Sequence, residues 1–433
     1  MRVLLISDNR CRESLMPYPL GIACIASAAS QAGHEVAGLD LMISEDPEAD
    51  VIKAVRSARP QCIGLSVRNI DNQDMHDPDF YLPQVTEIVR IIRSETAAPV
   101  VLGGAGFSIN PLECLDYLDL EMGIVGEGER SFVELLRRLE GGIAVDGQPG
   151  LALLHEGKGR VNPPAPHAWP GLFPPPDRDI FDVRPYNWIP GKTPPYVANL
   201  QSRRGCHMRC IYCSSPLIEG RSIRVREAAS VAGELASLEH DYGIRTAIFA
   251  DSLFDYPQDY TGELCREIMA RRLSLEWYCS LNPLYAGMEL LELIREAGCP
   301  SMSIGNESGS EDILQSLKKG FSREDVVRAV SGARSLGFNI NCFMLLGGPG
   351  ENERTVKESV ELMDELGPDA VRVTVGIRIH SGCELEEIAL REGVISRGQN
   401  LLYPTFYISP RMEPWLRDFM QEVCSARDGW FMT

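Results

Sequence analysis

Short, fully apolar runs alternate with amphipathic segments over roughly the first 140 residues. The apolar runs predict strands at 2–7, 35–40, 61–67, 99–103 and 122–126, and the amphipathic segments predict helices near 20–32, 48–58, 82–96, 110–118 and 129–139. Strands that are apolar on both faces and separated by helices indicate a parallel sheet covered by helices on both sides. The pattern therefore predicts a doubly wound, flavodoxin-like or Rossmann-like domain over residues 1–142, with its ligands at the carboxyl ends of the strands.

A second alternation begins at residue 196. Strands are predicted at 196–202, 246–251, 276–281, 301–305, 339–346 and 369–376, and helices near 227–240, 258–272, 287–297, 309–318, 322–336, 352–366 and 383–392. Six such units predict a partial (βα)6 TIM-type barrel over residues 196–398, rather than a closed eight-fold one. The chain is thus assigned to the α/β class, and the chemistry of the barrel is expected at the carboxyl ends of its strands.

The remaining two stretches interrupt this alternation. Residues 143–195 include "NPPAPHAWPGLFPPPDRDIF", whose prolines cannot continue a helix or a sheet ladder, and they are predicted to be an ordered linker. Residues 399–433 are rich in aromatic side chains and are predicted to form a C-terminal helical segment with its lead-in.

Composition excludes several kinds of partner. The 433 residues carry a net charge of −19, which argues against nucleic acid and leaves only Arg203, Arg204 and Arg209 as a candidate basic patch. No apolar run approaches the roughly 20 residues of a membrane span, and no signal peptide precedes the first strand, so a cytoplasmic protein is expected. Most of the thirteen cysteines stand alone in apolar stretches and are expected to be buried thiols in a reducing compartment.

Three cysteines do not fit that description. In "RRGCHMRCIYCSSP" (203–216), Cys206, Cys210 and Cys213 form a C-x3-C-x2-C pattern directly after the first strand of the second domain. Thiolates are soft ligands for zinc or iron–sulfur clusters. Structural zinc requires four protein ligands, and His207 is poorly placed beside Cys206 to be the fourth. A 4Fe–4S cluster held by three cysteines leaves one iron open, so the pattern favours a cluster, with zinc and unligated thiols as the alternatives.

The segment "CHMRCIYC", with Tyr212 before the third cysteine, resembles the signature of the radical S-adenosylmethionine (radical SAM) enzymes. The resemblance covers most of residues 196–400. It implies that S-adenosylmethionine chelates the open iron through its amino and carboxylate groups. It also implies that one electron, from an external donor such as flavodoxin or ferredoxin, cleaves the cofactor to methionine and a 5′-deoxyadenosyl radical, which abstracts a hydrogen atom.

Later strand ends agree with this resemblance, which assigns further residues to S-adenosylmethionine. They are Asp251 in "FADSLF", Glu307 and Ser308 in "GNESGSEDILQSLKKG", and Gly347 and Gly348 in "MLLGGPGENERT". Each has a structural alternative. The aspartate is otherwise a buried or capping residue, Ser308 or Ser310 a helix cap, and the glycines a tight turn.

The first domain resembles the cobalamin-binding domain of the B12-dependent radical SAM enzymes, on the segments "PYPLGIACIASAASQAGHEVAGLDL" (17–41), "LGGAGFSINP" (102–111) and "GIVGEGERSFVELL" (123–136). Glycine-rich turns at strand ends admit the backbone against a bulky ligand, and helix N-termini beside them accept anionic or amide groups. The cofactor-binding candidates are Gly103, Gly104, Gly126, Glu127 and Gly128. A nucleotide-binding domain shows similar glycines, but a G-x-G-x-x-G after the first strand is absent.

The sequence departs from many cobalamin domains at one motif. Where those domains carry Asp-x-His-x-x-Gly after the first strand, this chain reads "SDNRCRES". His76 is the nearest candidate cobalt ligand, and a polar loop histidine is the alternative. The resemblance places Arg68 or Asn69 near the lower face of the corrin instead. Without a strong lower ligand, cobalt becomes four-coordinate more readily and a methyl group passes to or from it more easily.

The two resemblances together imply a B12-dependent radical SAM methyltransferase that acts on an unactivated carbon of a small molecule. One S-adenosylmethionine methylates cobalamin and a second yields the radical that activates the substrate. His380, Tyr403 and Tyr407 are candidate catalytic residues of the pocket, with core packing or a cap as the alternative for each.

Two other functions remain open. Enzymes of the same branch catalyse cyclisation, ring rearrangement or other radical oxidation without net methyl transfer. A non-catalytic iron–sulfur or corrinoid carrier belongs to a different class, and the ordered barrel segments argue against it, because a carrier needs no S-adenosylmethionine pocket.

Overall fold

A computed structural model describes residues 1–11, 16–164, 174–186, 197–410 and 412–432. It divides into two compact units, each with its own sheet. The first comprises Met1–Asn72, Asp79–Tyr196 and Leu217–Glu219, and the second comprises Gln73–Pro78, Val197–Pro216 and Gly220–Thr433. Much of the predicted linker, including residues 165–173 and 187–195, lies outside the described residues.

The first unit contains seven strands and six α-helices among its described residues. The strands are β1 (Arg2–Ser7), β2 (Glu35–Asp40), β3 (Cys62–Ser66), β4 (Val100–Gly103), β5 (Met122–Ile124), β6 (Leu151–His155) and β7 (Lys158–Val161). The helices are α1 (Leu20–Gln31), α2 (Pro47–Ala58), α3 (Leu82–Glu95), α4 (Ala105–Ile109), α5 (Pro111–Tyr117) and α6 (Glu129–Glu140).

These strands form one sheet in the order β2-β1-β3-β4-β5-β6-β7. The first five are parallel, which is the flavodoxin-like order and confirms the predicted doubly wound domain. The central strand β1 buries Val3, Leu4, Leu5 and Ile6 almost completely, because it has a strand on each side and helices over both faces. The carboxyl ends of β1, β3 and β4 consequently lie at one edge of the sheet.

The predicted linker range contains the last two strands of this sheet. Strand β6 is antiparallel to β5, and β7 is antiparallel to β6. Glu156 and Gly157 join them with φ of 49° and 73°, which is the backbone of a two-residue type I′ hairpin turn. The proline-rich composition of the whole range obscured this short hairpin.

The described part of the second unit contains eleven strands. They are β8 (Val197–Leu200), β9 (Arg203–Arg204), β10 (Arg224–Val225), β11 (Thr246–Phe249), β12 (Glu276–Leu281), β13 (Ser301–Glu307), β14 (Asn339–Leu346), β15 (Ala370–Val375), β16 (Ile377–Arg378), β17 (Phe406–Tyr407) and β18 (Trp430–Met432). The helices from here on are α7 (Ser215–Glu219), α8 (Ala228–His240), α9 (Gln258–Arg271), α10 (Met288–Glu296), α11 (Glu311–Ser316), α12 (Arg323–Ser335), α13 (Glu353–Leu366), α14 (Glu384–Arg391) and α15 (Trp415–Ser425).

The main sheet of this unit is parallel and has the order β18-β15-β14-β13-β12-β11-β8. The six predicted strands occupy consecutive places, which confirms the partial barrel. The C-terminal segment adds a seventh strand, β18, beside β15, so it is a helix followed by a strand rather than a helix alone. Three residues are too few for a periodic pattern to reveal.

The surface differs from one expectation. Arg203 and Arg204 are buried, so of the three arginines in the candidate basic patch only Arg209 is exposed. None of the helices in the described ranges is long and apolar enough to cross a bilayer.

Candidate functional site

The cysteine loop begins at the carboxyl end of the first barrel strand. Cys206 is buried, while Cys210 and Cys213 are half-buried. Gly205 has a φ of +93°, and a Cβ there would lie 2.2 Å from the carbonyl oxygen of Ser222. The next residue, Cys206, donates its backbone N–H to Gly220 at 3.1 Å. The chain therefore enters the loop through a close backbone approach that requires glycine.

A buried ion pair anchors the residues just before this loop. Asp251 accepts hydrogen bonds from the backbone N–H of Ser202 at 2.8 Å and of Arg203 at 3.2 Å, and from the Ser202 hydroxyl. Arg203 lies 3.5 Å from the same carboxylate and also donates to the carbonyl of Tyr256. Burial raises the pKa of Asp251, and the Arg203 charge opposes that rise. These contacts show that Asp251 anchors the residues before the loop, and its predicted cofactor contact stays a prediction.

The middle of the loop is held from two sides. Ile211 donates its N–H to Leu317 at 3.2 Å and accepts from the N–H of Leu385 at 2.9 Å. All three side chains belong to one buried apolar cluster, against which Tyr212 packs. The spacing of the cysteines is therefore maintained by segments more than 100 residues away in sequence.

His207 belongs to the cysteine loop and contacts two tyrosines outside it. Its Nε2 lies 2.8 Å from the hydroxyl of Tyr285, and its ring centroid lies 4.6 Å from that of Tyr256. This aromatic environment explains the histidine without a metal.

The donor set fits an iron–sulfur cluster better than zinc. All thirteen cysteines are free thiols. Within the described ranges, no three His, Cys, Asp or Glu side chains are arranged to hold a single metal ion. Three cysteines on one loop match the ligand number of a cluster with an open iron, whereas structural zinc takes four protein ligands. Burial raises the pKa of the Cys210 thiol, and nearby Lys319 opposes the rise.

Lys319 was not identified from the sequence. Its Nζ donates to the Tyr212 hydroxyl at 3.0 Å and to Glu307 Oε1 at 3.2 Å. Glu307, at the end of β13, has a φ of +61°, an uncommon conformation for a residue with a side chain. The signal available in the sequence was the pair of lysines before Gly320, at the end of a short helix.

The serines after β13 are buried in contacts with α13. The Ser308 hydroxyl lies 2.9 Å from that of Ser359, which also accepts from the N–H of Gly309 at 2.9 Å. The Ser310 hydroxyl donates to Glu358 at 2.5 Å. The predicted cofactor contact of Ser308 stays a prediction, and the observed geometry is that of helix-to-strand packing.

The glycine loop after β14 is organised by a carboxylate that sequence reasoning missed. Glu351 Oε2 accepts the N–H groups of Gly347 and Gly348, the second at 3.0 Å. Gly347 has a φ of +97°, so a tight turn is present whatever else the loop binds. Burial raises the pKa of Glu351 to about 7, and its buried Oε1 has no partner among the described residues.

The three candidate catalytic residues lie in different environments. Tyr407 is fully buried in the core and donates its hydroxyl to Glu392 at 2.6 Å, which favours the packing alternative. His380 is also buried, and burial together with Arg378 lowers its pKa to about 4. Tyr403 is 48% exposed. Their predicted catalytic roles remain predictions.

In the first unit, two different physical features explain why glycine occupies the turns. Gly104 has a φ of +99°, and a Cβ there would lie 2.5 Å from the carbonyl oxygen of Val67. At Gly128 a Cβ would meet Ile25 at 2.7 Å, so this glycine permits close packing of α1. Gly126 donates its N–H to the Ser108 hydroxyl at 2.9 Å, and Glu127 lies between these two glycines. At Gly103 a Cβ would meet nothing within 4 Å.

A cavity of about 170 Å³ opens at the carboxyl ends of β1 and β3. Its lining includes Arg68 and Asn69, together with Asp8, Asn9 and Arg10 of the segment that replaces the histidine motif. Asp8 pairs with Arg10 at 3.1 Å, and burial raises the pKa of Asp8 to about 6 despite that arginine. Asn9 Nδ2 and Arg10 Nε are buried without a partner among the described residues, as expected of donors that await a ligand.

His76 does not line this cavity. It lies in the short stretch Gln73–Pro78, which groups with the second unit, and its N–H donates to Asp74 at 2.7 Å. Its candidacy as a cobalt ligand stays a prediction.

Comparison with known proteins identifies both units. Residues 200–363 match the family model of the radical SAM superfamily, and residues 14–136 match that of the B12 binding domain. A radical SAM barrel behind a B12 binding domain defines a class of enzyme. The chain belongs to the cobalamin-dependent radical SAM enzymes.

Two individual relatives are similar to this chain over most of its length. Tryptophan 2-C-methyltransferase of Streptomyces laurentii is 28% identical over 441 residues, which cover 87% of this chain and 72% of that protein. Cytidylyl-2-hydroxyethylphosphonate methyltransferase of Streptomyces wedmorensis is 25% identical over 445 residues, which cover 90% of this chain and 81% of that protein.

A solved structure shares the fold over the whole chain. The radical S-adenosylmethionine methyltransferase TsrM of Kitasatospora setae, with cobalamin and a 4Fe–4S cluster bound, superposes with a TM-score of 0.86 at 24% identity. The match covers 100% of this chain and 90% of that one. The same protein has been solved with tryptophan and an S-adenosylmethionine analogue.

Proposed function

We propose that this enzyme is a cobalamin-dependent radical SAM methyltransferase that methylates an unactivated carbon of a small molecule. The observation that carries the proposal is the cysteine loop at the carboxyl end of β8, in a chain that also has a B12 binding domain. The methyltransferase activity of the two Streptomyces relatives supports methyl transfer over other radical reactions.

When bound, the cofactors would supply the difficult chemistry, which is reductive cleavage of S-adenosylmethionine at the cluster and methyl transfer through cobalamin. The protein contributes position and exclusion of water. Cys206, Cys210 and Cys213 would hold the cluster on a loop fixed by Asp251 and the apolar cluster around Ile211.

The residues around that loop would bind S-adenosylmethionine. Tyr212 and Glu307, which share Lys319 as a donor, are proposed to contact it, and the glycine turn at Gly347 and Gly348 would lie along its adenine. In the first unit, Asn9 and Arg10 offer unpaired donors to the amide-rich cobalamin, and Arg68 and Asn69 line the same cavity.

The substrate class follows from the same comparisons. The relatives act on small molecules, one of them tryptophan, so tryptophan and other aromatic amino acids are the first substrates to test. We expect a one-electron donor of the flavodoxin or ferredoxin class and a cytoplasmic location, where free thiols and iron–sulfur clusters are stable.

The decisive experiment is a product count under anaerobic conditions. The chain is reconstituted with iron, sulfide and cobalamin, reduced, and incubated with S-adenosylmethionine that carries a deuterated methyl group and with the candidate substrate. We expect one S-adenosylhomocysteine per labelled methyl group in the product, with 5′-deoxyadenosine from the radical step.

The control variants separate the cluster from general thiol effects. Cys210→Ser should abolish both products, whereas Cys424→Ser, which alters a half-buried cysteine in α15, should retain them. Formation of 5′-deoxyadenosine without any S-adenosylhomocysteine would contradict methyl transfer and favour cyclisation or another radical oxidation. An active Cys210→Ser protein would contradict the cluster itself.

A further inference from the structure

A buried ammonium group lies beside the cysteine loop, and the proposed function gives it no task beyond donating to Tyr212 and Glu307. The Lys319 side chain is only 8% exposed. Its Nζ donates to Glu307 and to the Tyr212 hydroxyl, and it lies 5.6 Å from the centre of the Tyr212 ring and 5.5 Å from that of Phe321. A charge so far from water persists only where partners of this kind replace its hydration.

The end of helix α11 directs this side chain inward. Lys318 has a φ of +53°, and its N–H bonds to Gln315 while that of Lys319 bonds to Leu314. This is the Schellman arrangement that reverses the chain after a helix. The two adjacent lysines consequently diverge: Lys318 is 50% exposed and pairs with Glu384, whereas Lys319 is buried.

The buried pair lies against the cysteine loop, because the Lys319 ammonium that pairs with Glu307 also donates to Tyr212 of that loop. Tyr212, which accepts from Lys319, lies between Cys210 and Cys213 in sequence. The backbone bond from Ile211 to Leu317 keeps the two segments together at 3.2 Å.

We propose that Lys319 and Glu307 together set the reduction potential of the cluster held by the cysteine triplet. The inference rests on the proposed function, because it requires a cluster at Cys206, Cys210 and Cys213. Reduction adds one electron to the oxidised cluster, so a nearby cation stabilises the reduced form and a nearby anion destabilises it. Such effects are stronger in a buried site than in water, and net charge and hydrogen bonding are known determinants of cluster potentials.

The two charges have opposite predicted effects. Lys319→Met leaves Glu307 beside the cluster without its cation, so the potential becomes more negative. Glu307→Gln leaves the ammonium without its anion, so the potential becomes more positive. The double variant removes both charges and falls between the single variants.

The experiment is a redox titration of the full chain, reconstituted anaerobically with iron and sulfide, without S-adenosylmethionine, cobalamin or substrate. Dithionite supplies one electron per cluster, the 2+ state becomes the 1+ state, and the EPR signal of the reduced cluster reports its fraction. Each single variant should change the reduction equilibrium at least about tenfold, which is about 59 mV for a one-electron couple. The matched control Lys318→Met removes the neighbouring, exposed ammonium and should leave the potential unchanged.

Two further measurements keep the result interpretable. Iron and sulfide contents establish whether each variant carries a cluster, and Lys319→Arg retains the charge and should titrate close to the parent protein. If Lys319→Met does not load a cluster, Glu307→Gln still tests the predicted rise in potential.

The outcomes separate this inference from the function on which it rests. A parent protein that shows no reducible cluster would overturn the proposed function. A parent protein with a cluster, whose potential is the same in Glu307→Gln or shifts in the same direction in both single variants, would overturn the role of the charge pair alone.

Discussion

At the residue scale, the environment of the site is built from buried charges that each have identifiable partners. Asp251 is neutralised by Arg203 and by backbone donors, and Glu307 by Lys319. Glu351 differs from both, because within the described ranges its carboxylate is bound only by the N–H groups of Gly347 and Gly348. A carboxylate without a cation is the one whose protonation most directly affects stability.

We expect Glu351 to make unfolding pH-dependent. Burial raises its folded-state pKa from 4.5 to about 7, so the folded protein binds a proton that the unfolded chain releases. The stabilisation of the folded protein by this bound proton is fully present below about pH 4.5 and is lost as the pH rises through about 7. Glu351→Gln keeps an oxygen acceptor for both N–H groups and removes the titration. Relative to the parent, the variant should gain up to about 3 kcal/mol of unfolding free energy across this window.

The measurement is urea unfolding of the parent and variant at several pH values between 5 and 8. Glu353→Gln, which changes an exposed carboxyl group in the first turn of α13, the helix that follows Glu351, is the control and should leave the pH dependence unchanged. Parallel curves for the parent and Glu351→Gln would show that Glu351 does not titrate in this range.

At the element scale, the entry into the cysteine loop depends on the short antiparallel pairing of β9 with β10. Arg203 and Arg204 pair antiparallel with Val225 and Arg224, and this pairing brings Ser222 against Gly205. Two strands of two residues have little stability of their own, so the glycine contact and the Asp251 anchor determine the path of the chain into Cys206.

Gly205→Ala is expected to impair cluster assembly. Its φ of +93° disfavours any side chain by about 1–2 kcal/mol, and the new methyl group would overlap the Ser222 carbonyl. The reconstituted variant should therefore contain less iron and sulfide per chain than the parent and unfold at a lower temperature. Gly233→Ala is the matched control, because a Cβ in that part of α8 meets nothing within 4 Å. Gly233→Ala should retain full iron content, and its free energy of unfolding should rise by about 0.5–1 kcal/mol because alanine has the higher helix propensity. Normal iron content in Gly205→Ala would contradict the requirement for glycine.

At the scale of the whole molecule, the division into two units has a thermodynamic consequence. Each unit has its own sheet and its own core, so a ligand that binds within one unit is expected to stabilise that unit specifically. The family matches assign cobalamin to the first unit and the radical SAM chemistry to the second.

We expect hydroxocobalamin to shift one of two calorimetric transitions of the full chain. At a concentration of about 100 times its Kd, the ligand adds about 2.7 kcal/mol of stability, which corresponds to roughly 5–10 °C for a unit of this size. Gly147→Ala, a change in an exposed loop of the first unit where a Cβ meets nothing within 4 Å, should show the same shift. A scan that cobalamin leaves unchanged would contradict binding by the first unit.

The sequence by itself determined the order of the longer elements, the parallel strands of each sheet and the cysteine loop. Apolar periodicity and glycine-containing turns are local properties of the sequence. The C-x3-C-x2-C spacing is local too, so it indicates a cluster-binding loop without knowledge of the rest of the fold. Short elements were the exceptions: the β6–β7 hairpin and β18 contain too few residues to show a period.

Only the tertiary structure decided what individual polar residues do. Asp251 accepts a hydrogen bond from Ser202, which is 49 residues away in sequence, and Lys319 donates to Tyr212, which is 107 residues away. Pairs so far apart in sequence produce no local pattern from which they could be predicted. Tyr407 shows the same limit, because an aromatic residue in a short strand can face a pocket or the core, and here it is buried. The physical reason is that local patterns determine which segments form helices and strands, whereas the partner of a buried charge or hydroxyl is determined by how those segments pack.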